Sequence, residues 1–346
     1  MSTDPEMSVL VTAYGRTRYL ADAVRSVLAQ QADPESFEVV VVADQEGTYS
    51  EALPPTGQGP SVRVHVSRQS KKGPFFADGI RQCRGRSVSF LNDDDVWLPG
   101  KLAAVQASLL ANPEVGLHRH AIRYFRDDPA RIVHPFGERK LVGPGAAHPR
   151  TLSRQEMQWP RSIGTYNLGF NDSAMSLRRS ILDRSLPFLE RVTASEDTFL
   201  LFAALALSES VVSDPRALAL YRIHSTNSSV AGRSRLDAET LASVHREFLA
   251  RLETYTVIRE MVQKLAPDRS DTLRFAERGV SVSRLLVELT DTRAAPASVL
   301  HEAAIAARSW NEFDPWLNGG VVALAALHAF APTWALRTLL KYGKVA

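Results

Sequence analysis

Two short, largely apolar runs constrain the fold before anything else in the chain. Ser8 to Ala13 reads SVLVTA and Phe37 to Ala43 reads FEVVVVA, both short and rich in β-branched residues, the pattern of strands covered on both faces. Between them, Leu20 to Leu28 puts Leu20, Ala23, Val24, Val27 and Leu28 on one helical stripe. Strand, helix and strand in succession make a βαβ unit, which requires parallel strands and a right-handed crossover. Ligands in such sheets bind beyond the carboxyl ends of the strands, so the residues following each run are where a site is expected. Asp44 follows the second run directly.

The pattern continues. After a Gly/Pro-rich stretch from Pro54 to Pro60, Ser61 to Val66 alternates like a third strand, and Phe75 to Arg84 fits a helix. Ser87 to Leu91 is a fourth apolar strand that runs straight into Asn92, Asp93, Asp94 and Asp95. A helix is expected over Pro99 to Leu110, and strand pieces over Leu117 to Phe125 and Ile132 to Phe136. Gly137 to Trp159 has no periodicity and reads as a loop. A strand over Ala174 to Leu177, helices over Arg178 to Asp183 and Asp197 to Leu207, and a last strand over Leu218 to Ile223 complete the α/β part.

Beyond Asn227 the character turns helical, with a long amphipathic helix over Leu236 to Leu265 and further helices over Leu273 to Leu289 and Ala297 to Trp310. The expected division is an α/β domain at residues 1–230 and a helical region at 231–346, whose helices offer a surface for homo-oligomer formation. The tail from Leu317 to Leu336 is apolar but broken by Asn318, two glycines, His328 and Pro332, and it fits a packed terminal helix better than a membrane span. Trp316, Trp334, Arg337, Lys341 and Lys344 supply what an interfacial anchor would need, so peripheral attachment to the inner face of a membrane is the lesser alternative.

Composition excludes several classes. At 346 residues with 45% hydrophobic and 23% charged, the chain is ordinary for a globular protein. One cysteine, Cys83, permits neither an intramolecular disulfide nor a thiolate metal cluster. The polar, acidic stretch from Met1 to Met7 lacks the order of a signal peptide, and a cytoplasmic protein is expected. Net charge is +3, from 41 basic against 38 acidic residues, with no long basic run, so nucleic acid is not an expected partner. The Lys71-Lys72 pair alone reads as a solvated loop.

Three carboxylates at one strand end repel one another and need a cation or strong donors. Hard oxygen ligands suit Mg2+ or Mn2+ holding substrate phosphates, while an acidic turn before Pro99 would account for the same residues. The residues alone leave both readings open.

The wider context resembles one family. FLNDDDVWLPGKL, Phe90 to Leu102, is similar to the Asp-Ala-Asp-Asp-x-x-x-Pro stretch of family 2 glycosyltransferases, inverting enzymes of the GT-A fold. SVLVTAYGRTRYLADAVRSVLAQ resembles their first strand and helix, FEVVVVADQ their second strand, SEDTFLLFAAL their Glu-Asp motif and YRIHSTNSS their closing Tyr-Arg-x-His segment, in the same order, over about residues 8 to 230. The fold the resemblance implies is α/β, a Rossmann-like, mostly parallel sheet flanked by helices.

The roles it implies are specific. Asp44 accepts a hydrogen bond from the base of a UDP-linked nucleotide sugar, and Ala13, Tyr14 and Arg16 line the same pocket. Asp94 is the principal metal ligand, Asp93 sits beside it near the ribose or the metal, and Asn92 replaces the usual first Asp, with Asp95 and His224 as further metal ligands. Over Gly73 to Gly79 the family's Ala-Arg-Asn is absent, and Asp78 and Gly79 stand there. Arg81, Lys71 or Lys72 are then the candidates for the diphosphate and sugar contacts. Glu196 and Asp197 form the catalytic pair, Asp197 being the base for an acceptor hydroxyl on a glycan, a lipid-linked molecule or a natural product. A nucleotidyltransferase is the first rival, although only Tyr14-Gly15-Arg16 stands where a Gly-rich phosphate loop is expected. A non-catalytic carbohydrate-binding protein is the second, supported by Asn92 and Asp78.

Overall fold

The computed structural model describes residues 4–15, 17–44, 49, 53, 59–126, 128–133, 148–157, 171–224, 238–291 and 293–308. Strand β1, Met7–Ala13, is fully buried along its length, as is β2, Phe37–Ala43, which explains why neither shows a polar alternation. β1 pairs in parallel with β2 on one side and with β4, Ser87–Asn92, on the other, Met7 standing opposite both Phe37 and Ser87. β3, Val62–Val66, extends the parallel set beyond β2.

Alternate residues of these strands feed two cores. Val9, Val11, Val39 and Val41 pack with Leu20, Ala23, Val24 and Val27 of α1, Leu20–Leu28. Leu10, Val40 and Val42 face the other way, toward Phe75, Phe76, Ala77 and Ile80 of α2, Lys72–Gln82. Gly79 lets α2 lie this close, since a Cβ there would come within 2.8 Å of the Leu10 side chain and 3.0 Å of Val42.

The remaining strands continue the sheet in the order β3-β2-β1-β4-β9-β6-β10-β5. β9, Met175–Arg178, runs antiparallel to both β4 and β6, Val115–Phe125, and so joins the two halves. β10, Ser210–Arg222, is parallel to β6, with register shifts on either side of Ala217. β5, Val96–Trp97, lies antiparallel to β10; β7, Ile132–Val133, pairs with β6.

Three expectations change here. β8, Arg150–Ser153, pairs with β10 inside the stretch read as a loop; only Leu152 of its four residues is buried, so it carries no alternation to read. The last strand begins at Ser210, eight residues ahead of Leu218, because its first half is rich in polar residues. The helix expected to stop at Asp183 is α4, Arg179–Leu189, which continues through Pro187 in its last turn. α3, Lys101–Leu109, and α5, Glu196–Leu207, fall close to expectation.

The C-terminal helices are α6, Ala238–Leu265, α7, Ser270–Thr290, and α8, Pro296–Arg308. Tyr255, Ile258, Met261 and Val262 of α6 belong to the same buried cluster as Phe199 to Ala206 of α5 and Phe75 of α2. Phe202 meets Tyr255 edge-on at 5.9 Å and stacks on Phe275 at 5.1 Å. Thr254 also donates to the Ala194 carbonyl at 2.6 Å, fixing the chain just ahead of α5. No helix among the described residues is long and apolar enough to cross a membrane. The tail from Leu317 to Leu336 and most of the stretch from Gly137 to Trp159 lie outside the described residues.

Candidate active site

The carboxyl ends of β1, β2 and β4 lie side by side, and the predicted residues follow them. Ala13 closes β1 and is buried; Tyr14 is exposed, its hydroxyl donating to the Ser70 carbonyl at 3.2 Å and its ring edge-on to Phe75. Asp44, just past β2, accepts from the Gly15 backbone N–H at 2.8 Å and from the Tyr49 hydroxyl at 2.6 Å. It therefore ties the two strand ends together at the floor of the crevice. Arg16 lies outside the described residues. Asp78 accepts from the Ser67 hydroxyl at 2.7 Å, fastening α2 to the end of β3.

The four residues at the end of β4 divide their work. Asn92 accepts from the Thr12 hydroxyl at 2.9 Å and donates through Nδ2 to Asp172 at 2.8 Å. Asp93 donates its backbone N–H to the Thr12 carbonyl at 3.1 Å. Asp94 Oδ2 is 2.9 Å from Nε2 of His224. Asp95 turns inward, one oxygen accepting from the Ser173 hydroxyl at 2.6 Å and the other from the Arg222 backbone N–H at 3.0 Å. Burial first, and then the neighbouring Asp94 carboxylate, push the Asp95 carboxyl well above the usual range. Arg222 braces the turn, its Nε donating to the Asp94 carbonyl at 2.9 Å while its guanidinium covers the Tyr19 and Phe125 rings.

A second acidic group opens α5. Ser195 ahead of it is left-handed, with φ 58° and ψ 45°, a conformation that costs a residue with a Cβ about 1–2 kcal/mol. Glu196 is buried, and Lys72, at the first position of α2, places Nζ 3.0 Å from its Oε1. The Glu196 carboxylate holds the Lys72 ammonium above its ordinary range. Lys72, expected on the diphosphate, is thus engaged across the cleft. Asp197 accepts from the Thr198 backbone N–H at 2.6 Å; burial, then Glu196, pushes its carboxyl up, against the pull of Lys72.

Asp172 interacts with both acidic groups, by a hydrogen bond to Asn92 and through charge with Glu196 and Asp197. It lies in a short 3-10 turn, Asp172–Ala174, accepts from Asn92, and is pushed up to about 7 by burial and then by Glu196 and Asp197. Lys101 of α3 is fully buried, donates to the Ser173 carbonyl at 2.6 Å and lies over the Trp97 ring, and burial pushes its amine well down. Arg119 of β6 is buried, and burial lowers it to about 10 against the opposing charges of Tyr124 and then Asp197. Sequence reasoning missed Asp172, Ser173, Lys101, Arg119 and Arg222. Asn171-Asp172-Ser173 reads as turn chemistry and Arg119 as one residue of a strand; Lys101 and Arg222 lay in segments already singled out, without a role assigned to either.

Among the described residues, no group of three or more His, Cys, Asp or Glu side chains is arranged to hold a metal ion. Asp94 with His224 offers one carboxylate and one imidazole at a ligand-binding strand end.

Comparison with known proteins gives a consistent picture. Residues 8–185, just over half of the chain, match the family described as Glycosyl transferase family 2. Succinoglycan biosynthesis protein ExoO of Rhizobium meliloti (strain 1021) is 27% identical over 260 residues, 71% of this chain and 69% of that protein. A GalNAc(5)-diNAcBac-PP-undecaprenol beta-1,3-glucosyltransferase of Campylobacter jejuni subsp. jejuni is 29% identical over 105 residues, 29% of this chain and 33% of that one. Mannosyltransferase PcManGT from Pyrobaculum calidifontis, solved with GDP-Man and Mn2+, aligns over 98% of this chain and 85% of its own, with TM-score 0.55 and 16% identity. S. aureus TarS 1-349, solved with UDP-GlcNAc, aligns over 97% and 90%, with TM-score 0.52 and 13% identity. At such identities the two structures establish a shared fold.

Proposed function

Because the chain belongs to glycosyl transferase family 2 and has the GT-A fold, it is a glycosyltransferase, and we propose that it works by a single inverting displacement with Asp197 as general base. The donor in this reading is a UDP-linked sugar. Asp44, fixed between the ends of β1 and β2, accepts from the base edge, and Ala13 and Tyr14 bound the pocket. Asp197 takes the proton of the acceptor hydroxyl as the oxygen attacks the anomeric carbon and the nucleoside diphosphate leaves from the opposite face. A carboxyl made more basic by burial is suited to that task at neutral pH. The supporting observation is the Asn92–Asp172 hydrogen bond, which ties the strand end carrying Asp93 and Asp94 to a buried carboxyl that feels the charges of Glu196 and Asp197.

Asp94 and His224 fit a divalent ion such as Mn2+ or Mg2+, a hard oxygen and an imidazole nitrogen side by side, with substrate oxygens and water completing the shell. Such an ion, when bound, neutralises charge on the departing diphosphate. Asp95 is a brace in this reading, because its carboxyl is fully buried and turned inward onto the Ser173 hydroxyl and the Arg222 backbone N–H. Asn92 and Asp78, the residues that favoured a non-catalytic protein, have partners that explain them. An Asp at 92 would oppose Asp172, and Asp78 anchors Ser67. One relative is named for succinoglycan biosynthesis and another for glucosyl transfer to an undecaprenol-linked glycan, which favours a glycan acceptor.

The test is turnover of nucleotide sugars by the parent and by Asp197→Asn. Transfer should fall ~10²–10⁴-fold in the variant, the range for loss of a general base, with UDP binding retained. Transfer at the parent rate would overturn the assignment.

A further inference from the structure

We propose that Lys72 is a positioning residue that assigns the base role to Asp197 by engaging its neighbour Glu196 across the cleft. The inference rests on Asp197 being the base. Two adjacent carboxylates open α5, and chemistry needs one of them free. Glu196 Oε1 is bound by Lys72 Nζ at 3.0 Å, and Glu196 Oε2 is buried with no hydrogen-bond partner among the described residues. Glu196 is therefore held inside, away from an incoming hydroxyl. Asp197 spends one oxygen on Thr198, through the backbone N–H at 2.6 Å and the hydroxyl at 3.4 Å, and is partly exposed.

Lys72 reaches α5 from the other half of the sheet. It begins α2, which packs on β1 and β2, whereas Glu196 follows the joining strand β9 and α4. The position of α2 is itself fixed at this point, because the Gly73 backbone N–H donates to the Val192 carbonyl at 3.1 Å, just ahead of α5. The ammonium thus arrives with the backbone that carries it. The side chain is 44% exposed against 7% for Glu196, so the pair reaches solvent on the Lys72 side alone.

The charges around Asp197 give the pair a consequence for catalysis. Glu196 faces Asp197 from its own helix, Asp172 from the 3-10 turn, Lys72 from α2 and Arg119 from β6. Three carboxylates gather there, and Lys72 is the cation directly bound to one of them. Its positive charge favours the ionised base, whereas Glu196 favours the protonated one. A lysine that only gripped the donor diphosphate would act on donor affinity at every pH.

The experiment is the pH profile of kcat/KM for parent, Lys72→Met, Lys72→Arg, Glu196→Gln and Asp197→Asn, with folding checked by circular dichroism. In Lys72→Met the acid limb should move up by ~1 pH unit, so that the rate at pH 6 falls ~10-fold and most of it returns by pH 9. Lys72→Arg should keep the parent profile. Glu196→Gln should shift the limb the opposite way, which tests the assignment even if Lys72→Met does not fold. A raised donor KM in Lys72→Met with an unmoved limb overturns the proposal, as does an unmoved limb in Glu196→Gln. An inactive Asp197→Asn beside unmoved limbs sinks the Lys72 assignment alone, whereas a fully active Asp197→Asn sinks the base itself.

Discussion

Asn92 and Asp172 show how one residue type constrains another 80 positions away. The Asn92 amide donates to a buried carboxylate, so Asn92→Asp would set two carboxylates against each other. Stability at pH 8 should fall by about 1–3 kcal/mol in urea unfolding, and Asp172→Asn added to that variant should restore most of the loss. The pH dependence follows from the shift. Asp172 stands near 7 in the folded protein against an ordinary 3.8, so the folded state binds its proton more tightly than the unfolded chain. Its contribution to stability is full below about pH 4, shrinks as pH rises toward 7, and is gone above that. Asp172→Asn should therefore unfold with a flatter stability profile between pH 4 and 7 than the parent; parallel profiles would contradict the shift. At this scale Asp44, Asp94 and Asp197 were legible because each lies at the end of a readable apolar run or the start of a readable helix. Asp172 and Arg119 were not, because long-range pairing of weakly patterned segments brings them to the site, and Lys101 stands inside the Phe90 to Leu102 stretch with nothing in the sequence to show that it is buried.

The same contrast governs whole elements. β1 and β2 announce themselves because both their faces are buried, while β8 and the first half of β10 hold their places through backbone pairing that leaves little side-chain trace. α4 runs six residues past the expected end at Asp183, and Pro187, standing in its last turn, leaves the rest of the helix intact. Helix packing makes its own demand at Gly279, where α7 crosses α6 and a Cβ would overlap the Tyr255 ring. Gly279→Ala should cost about 1–3 kcal/mol by overpacking, despite the better helix propensity of alanine. Gly59→Ala, where a Cβ meets nothing within 4 Å, is the control and should be near neutral. Equal denaturation midpoints for the two variants would show that the α6–α7 contact yields freely.

Across the whole molecule, the helical region and the sheet share a core. Phe199, Phe202 and the rest of α5 lie between the sheet and α6, so α6 covers apolar surface that the first 230 residues cannot cover alone. A chain ending at residue 230 should be insoluble or should melt well below the parent, and the full protein should unfold in one transition by both tryptophan fluorescence and far-UV circular dichroism. A truncated chain with the parent melting temperature would mean that the two parts are independent. The sequence reading placed a boundary near 230 from the change in periodicity, which marks a change of element type and carries no information about what packs on what. The antiparallel strand β9 also bears on how the molecule is made. When a ribosome has finished β6 at Phe125, neither of the strands that flank it in the sheet exists, and synthesis must continue to Arg178 before β9 can bridge it to β4 and to Arg222 before β10 can flank it. Until then the nascent chain carries a βαβ half able to condense and an eleven-residue strand with open edges, the kind of intermediate that recruits chaperones and aggregates when translation outpaces them.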